Sequence, residues 1–355
     1  MKLAIATFHV PHPEGAAAGR QLWALAEALQ ADGHELTGWC WGPPRPGLPA
    51  PPWCEHRPFE QSGARHRPAN LLAPRADVGR VPWPLPVPDD AIAWADDWSS
   101  WPVAERLHRP ALLTVHYDVR LDARALGQRS LPLVQDWRAQ RRAVRRAPCA
   151  VALSRRVADA TGVPVVVPAT LPVPDAPLPL VDEPVALLLA DWTWAPNLAS
   201  LRALRPMWPS VRARVPGARL LVAGRGSEGV ASGDGVEVLG EVPRAIDAMG
   251  AAAVLAFPCP PTSGPKMKVL DAVLAGLPVV TTPEGAEGLD LPDGAVATAG
   301  LRGFADALVE VLTDPSRRMQ MARTAREAAL RHHAPAVAAR ARVDVLRRSF
   351  AAGVE

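Results

Sequence analysis

Lysine is nearly missing from this 355-residue chain: of 39 basic residues only Lys2, Lys266 and Lys268 are lysine. Asparagine occurs only as Asn70 and Asn197, and tyrosine only as Tyr117. Such a bias suggests a GC-rich bacterial genome, in which arginine replaces lysine wherever a positive charge alone is needed. Lysine and arginine are not interchangeable at phosphate sites, so a surviving lysine marks a place where a compact ammonium is wanted. Two of the three lysines flank one residue, Met267.

Cysteine is also scarce. Cys40, Cys54, Cys149 and Cys259 lie far apart without a C-x-x-C pair, which argues against a zinc site and a disulfide scaffold. There is no D-x-D motif and no His or Cys cluster at ligand spacing, so no bound metal and no cofactor is expected. No run reaches the roughly twenty apolar residues that span a bilayer. The first residues, MKLAIATFHVPHPEG, make too short an apolar stretch for a secretion signal, and a cytoplasmic protein is expected. Net charge is only +3, with basic and acidic residues mixed along the chain, so nucleic acid is a poor candidate partner while a local anion site stays open.

What is present is apolar and alternating. With 48% hydrophobic and 21% charged residues, the chain can bury a core, and its length favours two of them. Leu3 to Phe8 reads as a buried strand, Arg20 to Ala31 as a helix closed by Gly33, and Glu35 to Cys40 as the next strand. Further strands are predicted at Ala111 to Val115 and Ala150 to Leu153, with a helix from Leu131 to Arg146 between them. Seven prolines between Pro164 and Pro184 read as a stiff connector. Beyond it the alternation restarts: strands at Val185 to Ala190, Arg219 to Ala223, Val236 to Leu239, Ala253 to Phe257 and Pro278 to Thr281, with helices at Leu198 to Val215, Arg244 to Gly250 and Met267 to Ala275. Helical periodicity then runs from Gly303 to the end. The expected organisation is a Rossmann-like domain over 1–170, a second over 171–335, and a C-terminal helix, 336–355, that could pack back on the first. Such α/β sheets are parallel and take ligands beyond their strand ends, in a cleft between two facing domains. The tryptophans Trp39, Trp41, Trp53, Trp83, Trp94, Trp98 and Trp101 offer flat faces for stacking on a ligand, but burial preference assigns most of them to the core.

The richest segment for chemistry runs from Ser263 to Asp271, SGPKMKVLD. A Gly-Pro turn opens a helix after a buried strand, which leaves backbone N–H groups and the positive helix end for a phosphate. Lys266 and Lys268 add charge there, and Asp271 could accept hydrogen bonds from ribose hydroxyls. The alternative is a surface helix with an i, i+3 Lys and Asp pair. In the N-terminal half, His116 and Asp118 follow a strand, where an α/β cleft places its working residues, and are either functional or structural. Gly15 and Gly19 with Arg20 form a weaker candidate phosphate loop.

These residues resemble a family, the GT-B glycosyltransferases of family 4, or glycosyl transferase group 1. Its pattern G-x-x-x-K-x-x-E-A is matched by Gly264, Lys268 and Asp271-Ala272, then Ala275-Gly276-Leu277-Pro278-Val279-Val280 and Gly285-Ala286-Glu287-Gly288-Leu289. Trp194-Ala195-Pro196-Asn197 looks like the family's aromatic-x-P-N turn, and Leu221 to Gly226 like its V-V-G-x-G strand end. Gly33-His34-Glu35-Leu36 resembles its first unit more weakly. Asp271 stands where the family has Glu, and Ser263 where many members carry an acid. The resemblance implies a GT-B fold and retaining transfer of a sugar, of the hexosyl type, from a nucleotide-diphosphate donor to a small-molecule or glycan hydroxyl. Within it, Gly15, Asn197, Arg225, Ser263, Gly264, Lys266, Lys268 and Asp271 would hold the donor, and His116 and Lys268 would be catalytic. The rivals are a GT-B-like synthase or nucleotide-sugar epimerase, an NAD-dependent oxidoreductase, which the missing G-x-G-x-x-G after Phe8 disfavours, and a non-catalytic binding module.

Overall fold

The computed structural model describes residues 1–42, 47–57, 86–107, 110–230 and 232–352; Trp83 lies outside them. In chain order the first elements are β1 (Lys2–Thr7), α1 (Ala17–Ala31), β2 (Glu35–Cys40), β3 (Cys54–His56), β4 (Ile92–Ala95), α2 (Trp101–Ala104), β5 (Pro110–Val115), α3 (Val119–Ala125), α4 (Leu131–Arg146), β6 (Cys149–Ala152), α5 (Arg155–Thr161) and β7 (Val165–Val166). Then follow β8 (Val185–Leu189), α6 (Ala195–Leu204), α7 (Trp208–Arg214), β9 (Arg219–Ala223), β10 (Val236–Gly240), α8 (Ala245–Gly250), β11 (Val254–Phe257), α9 (Met267–Ala275), β12 (Val279–Thr281), α10 (Pro283–Ala286), β13 (Ala297–Thr298), α11 (Phe304–Thr313), α12 (Pro315–His333) and α13 (Pro335–Ala352).

The chain divides into two compact units, Met1–Pro172 with His333–Glu355, and Val173–His332. Each holds one all-parallel sheet. Strand order is β3-β2-β1-β4-β5-β6-β7 in the first and β10-β9-β8-β11-β12-β13 in the second. In both, the order reverses beside the first strand, between β1 and β4 and between β8 and β11. These are the switch points at which doubly wound sheets open a crevice beyond their strand ends.

Burial explains the strand composition. All five residues of β8, VALLL, are buried, as a strand covered on both faces requires. In the first unit Trp39, Trp41, Trp94, Trp98 and Trp101 are buried in the core, as their size predicts; Trp53 is half-buried. Side chains cap two of the shorter helices: Asp118 accepts from the Leu121 N–H at 2.6 Å to start α3, and Ser154 from the Val157 N–H at 3.3 Å to start α5.

One predicted element is corrected. The helix expected from Leu198 to Val215 is α6, a short 3₁₀ turn at Arg205–Met207, and then α7. Pro206 has no N–H for an i−4 bond and Pro209 suits only a helix start, so the chain restarts there. The C-terminal helix α13 packs along α1. His333 Nδ1 donates to the Ala169 carbonyl at 2.8 Å, the Thr170 hydroxyl to the His333 carbonyl at 2.6 Å, and the buried Arg342 to the Pro168 carbonyl at 3.1 Å.

Candidate functional site

The second unit's switch point is built from three strand ends. Leaving β8, the chain carries Asp191 into the turn that starts α6 at Asn197's level; leaving β9, it carries Gly224 to Gly226; leaving β11, it runs through Ser263 into α9. Gly224 sits at φ +110°, and a Cβ there would lie 2.0 Å from the Ala190 carbonyl oxygen, so only glycine lets the two strand ends meet this closely. That contact sets Arg225 beside Asp191.

From there a polar chain crosses the strand ends. The Arg225 guanidinium donates to Asp191 Oδ2, while Asp191 Oδ1 accepts from the Thr193 N–H at 3.1 Å and its hydroxyl at 2.6 Å. Burial would raise the Asp191 pKa, but these hydrogen bonds from Arg225 and Thr193 outweigh it and hold the carboxyl below its usual range. The Asp191 backbone carbonyl accepts from Asn197 Nδ2 at 2.6 Å, and Asn197 Oδ1 accepts from the Lys268 ammonium. Asn197 is buried, so Lys268 meets a fixed acceptor.

Lys268 also lies over the Phe257 ring, its Nζ 4.2 Å from the centroid. Burial pushes its pKa down to about 7; Cys259 and Asp191 pull it up and Lys266 lowers it further. The ammonium is thus costly to keep charged until an anion arrives. Around it, Gly264 at φ +76° turns the loop into α9, whose start has no side-chain cap. Lys266 bends back instead: its Nζ donates to the Ser263 carbonyl at 3.0 Å, to the Thr262 carbonyl at 3.4 Å and to the Gly264 carbonyl. Of the two lysines, Lys268 is therefore the one aimed across the strand ends, and Lys266 shapes the loop. Ser263 and Asp271 are both buried, on the loop and the first turns of α9.

The first unit has a second cluster at its own switch point. His116, after β5, donates from Nε2 to the Asp96 backbone carbonyl at 2.6 Å and lies 3.7 Å from Asp96 Oδ1. Asp96, fully buried after β4, accepts from the Thr7 hydroxyl at the end of β1 at 3.3 Å. Burial lowers the His116 pKa, but hydrogen bonding and charge from Asp96, with Asp97 behind it, raise it by more, so the net shift is upward. His9 shifts the other way: burial dominates, and Asp97 and Asp96 offset it only in part. Asp118, weighed beside His116, is used as the α3 cap. Gly15 closes a turn by donating to the His12 carbonyl at 3.0 Å, and Gly19 is explained by packing, since a Cβ there would lie 2.3 Å from the Val10 carbonyl oxygen.

Asn197, Arg225 and Lys268 are thus linked through Asp191 in one unit, with Ser263, Gly264, Lys266 and Asp271 on the neighbouring loop and helix; His116 and Gly15 belong to the other. Sequence reading missed Asp191, Asp96, Asp97 and His9. Each stands within two residues of a strand's end, which is the signal that could have found them. Among the described residues no group of three or more His, Cys, Asp or Glu could hold a metal ion, and no helix is long and apolar enough to cross a membrane.

The fold has known counterparts. Residues 183–314 match the family described as Glycosyl transferases group 1. The second unit carries that family's sequence pattern. The fold is GT-B. Sucrose-phosphate synthase from Thermosynechococcus elongatus superposes with a TM-score of 0.68 at 17% identity, covering 99% of this chain and 100% of its own. HepE from Anabaena, solved with UDP and glucose, gives 0.64 at 15% identity over 98% and 99%. TarM of S. aureus gives 0.61 at 11% identity over 73% of this chain, which spans only 55% of TarM's length. No curated protein matches the chain by sequence.

Proposed function

We propose that this chain is a retaining glycosyltransferase that moves a hexosyl group from a nucleotide-diphosphate sugar to a hydroxyl of a small molecule or glycan, without a bound metal, in a bacterial cytoplasm. The observation that carries the reading is Lys268: an ammonium held at the switch point by Asn197 and Phe257, beside the uncapped start of α9, within the stretch that has the group 1 pattern. A diphosphate arriving there supplies the counter-charge that burial withholds, so Lys268 becomes fully protonated as the ligand binds. As the bond to the sugar breaks, negative charge grows on the leaving diphosphate, and a fixed ammonium with helix-start amides favours that charge without reorganising. Asp271, on the same helix, would accept the ribose hydroxyls, and Arg225 would neutralise charge at the other end of the polar chain. The acceptor's proton would pass to the departing phosphate, so no separate base is required, and His116 would contact the sugar or the acceptor. That HepE was solved with UDP and glucose supports a nucleoside diphosphate as the donor's head.

The test is a panel of UDP-, GDP-, ADP- and dTDP-sugars, with NAD as a control, read by thermal shift and by mass spectrometry of products. Stabilisation by at least one nucleoside diphosphate and its sugar is expected. Stabilisation by NAD and by no nucleoside diphosphate would overturn the proposal in favour of an oxidoreductase.

A further inference from the structure

The even mixing of charge read for the chain as a whole fails between residues 119 and 162, where ten arginines meet three aspartates, in a protein whose total formal charge is +3. Most of that charge lies on α4. Leu131, Val134, Arg138, Arg141, Arg142 and Arg145 recur at three- and four-residue steps and are all exposed, so they form one stripe along the helix. Gln135, Gln140 and Ala143 are buried and hold the helix to its unit. Beside the stripe, the Arg120 and Arg141 guanidiniums lie 5.4 and 5.0 Å from the Trp137 ring centre. Arg146 is held by Glu105 at 2.8 Å. Arginines three and four apart on one helix face repel one another, and an anionic surface opposite the stripe would offset that repulsion.

We propose that the exposed face of α4 docks the protein onto a bilayer surface rich in anionic lipid head groups. Leu131 and Val134, 46% and 41% exposed, decide the occupant. They stand in line with the arginines at the start of the helix, where a lipid interface accepts aliphatic side chains between its head groups and a nucleic acid offers them nothing. Trp137, half-buried between guanidiniums, has the mixed character favoured at such interfaces. The helix lies along the surface rather than through it, since no helix among the described residues is apolar enough to cross. The inference does not rest on the proposed activity, because it concerns another face of the first unit.

The whole chain is sedimented with vesicles of phosphatidylcholine alone and with vesicles containing phosphatidylglycerol, and is titrated in parallel with duplex DNA. Binding to the anionic vesicles alone is expected, weakening steeply with salt. With about fivefold per basic residue at an anionic surface, Arg138→Gln, Arg142→Gln and Arg145→Gln together should weaken it about a hundredfold. Leu131→Asp with Val134→Asp should weaken it about tenfold, while thermal midpoints and stabilisation by nucleotides stay unchanged. The Gln series keeps the helix, so a fold lost to charge reversal cannot imitate the result. No binding to anionic vesicles, equal binding to phosphatidylcholine, unchanged binding by the Gln variant, or binding to DNA but not to vesicles would each overturn the proposal.

Discussion

The two switch points are alike in backbone and opposite in chemistry. Both sit where the strand order of a parallel sheet reverses, yet one gathers a histidine pair over buried Asp96 and the other a lysine over neutral Asn197. The same carboxylate type is used differently. Asp96 touches His116 and raises its pKa; Asp191 is occupied by Arg225 and Thr193, and Lys268, whose pKa burial depresses, is left with an amide oxygen and an aromatic ring. One site thus favours its protonated form through a neighbouring carboxylate, while the other has its ammonium disfavoured by burial.

The contrast can be broken at several points. Lys268→Ala should lower turnover about a thousandfold with the fold intact by circular dichroism; a rate within twofold of the parent would remove Lys268 from the chemistry. His116→Ala should lower kcat about a hundredfold while leaving affinity for the stabilising nucleoside diphosphate unchanged, as measured by calorimetry. An equal loss of nucleotide affinity would mean that the two clusters do not divide the work. pH sharpens the difference further. Because the free Lys268 pKa is depressed to about 7, an anionic ligand must raise it, so affinity is full below pH 7 and falls by up to about tenfold per unit above it. Calorimetry in two buffers of different ionisation enthalpy at pH 8 should show net proton uptake; none would place the charge elsewhere. The smallest effect is expected from Asn197→Ala, about a fivefold weakening of nucleoside diphosphate binding, since it removes one acceptor and not the charge itself.

How much could be read in advance follows the same division. The lysine site lies largely within nine consecutive residues, Ser263 to Asp271, and the helix predicted at Met267 starts where α9 does. The fold class was equally legible, because buried parallel strands such as β8 announce themselves as continuous apolar runs. The histidine site was legible only at His116. Its partner Asp96 follows β4, a four-residue strand too short to predict, and its other members come from the end of β1. A site assembled from three strands, with Thr7 and Asp96 89 residues apart and His116 a further 20 beyond, leaves no local spacing to read. β7 and β13, two residues each, are too short for any periodicity. Lys266 shows the opposite limit: its residue type fitted a phosphate site, but only coordinates reveal that its ammonium folds back on three carbonyls of its own loop.

The return of α13 to α1 also orders events at the ribosome. The first unit is begun first and finished last, since the helix that covers α1 is synthesised only after the whole of residues 173–332 has emerged. A nascent chain paused before His333 therefore shows an uncovered helix face and leaves the carbonyls of Pro168 and Ala169 without the Arg342 and His333 side chains that later bind them. The second unit, contiguous in sequence, has no such wait.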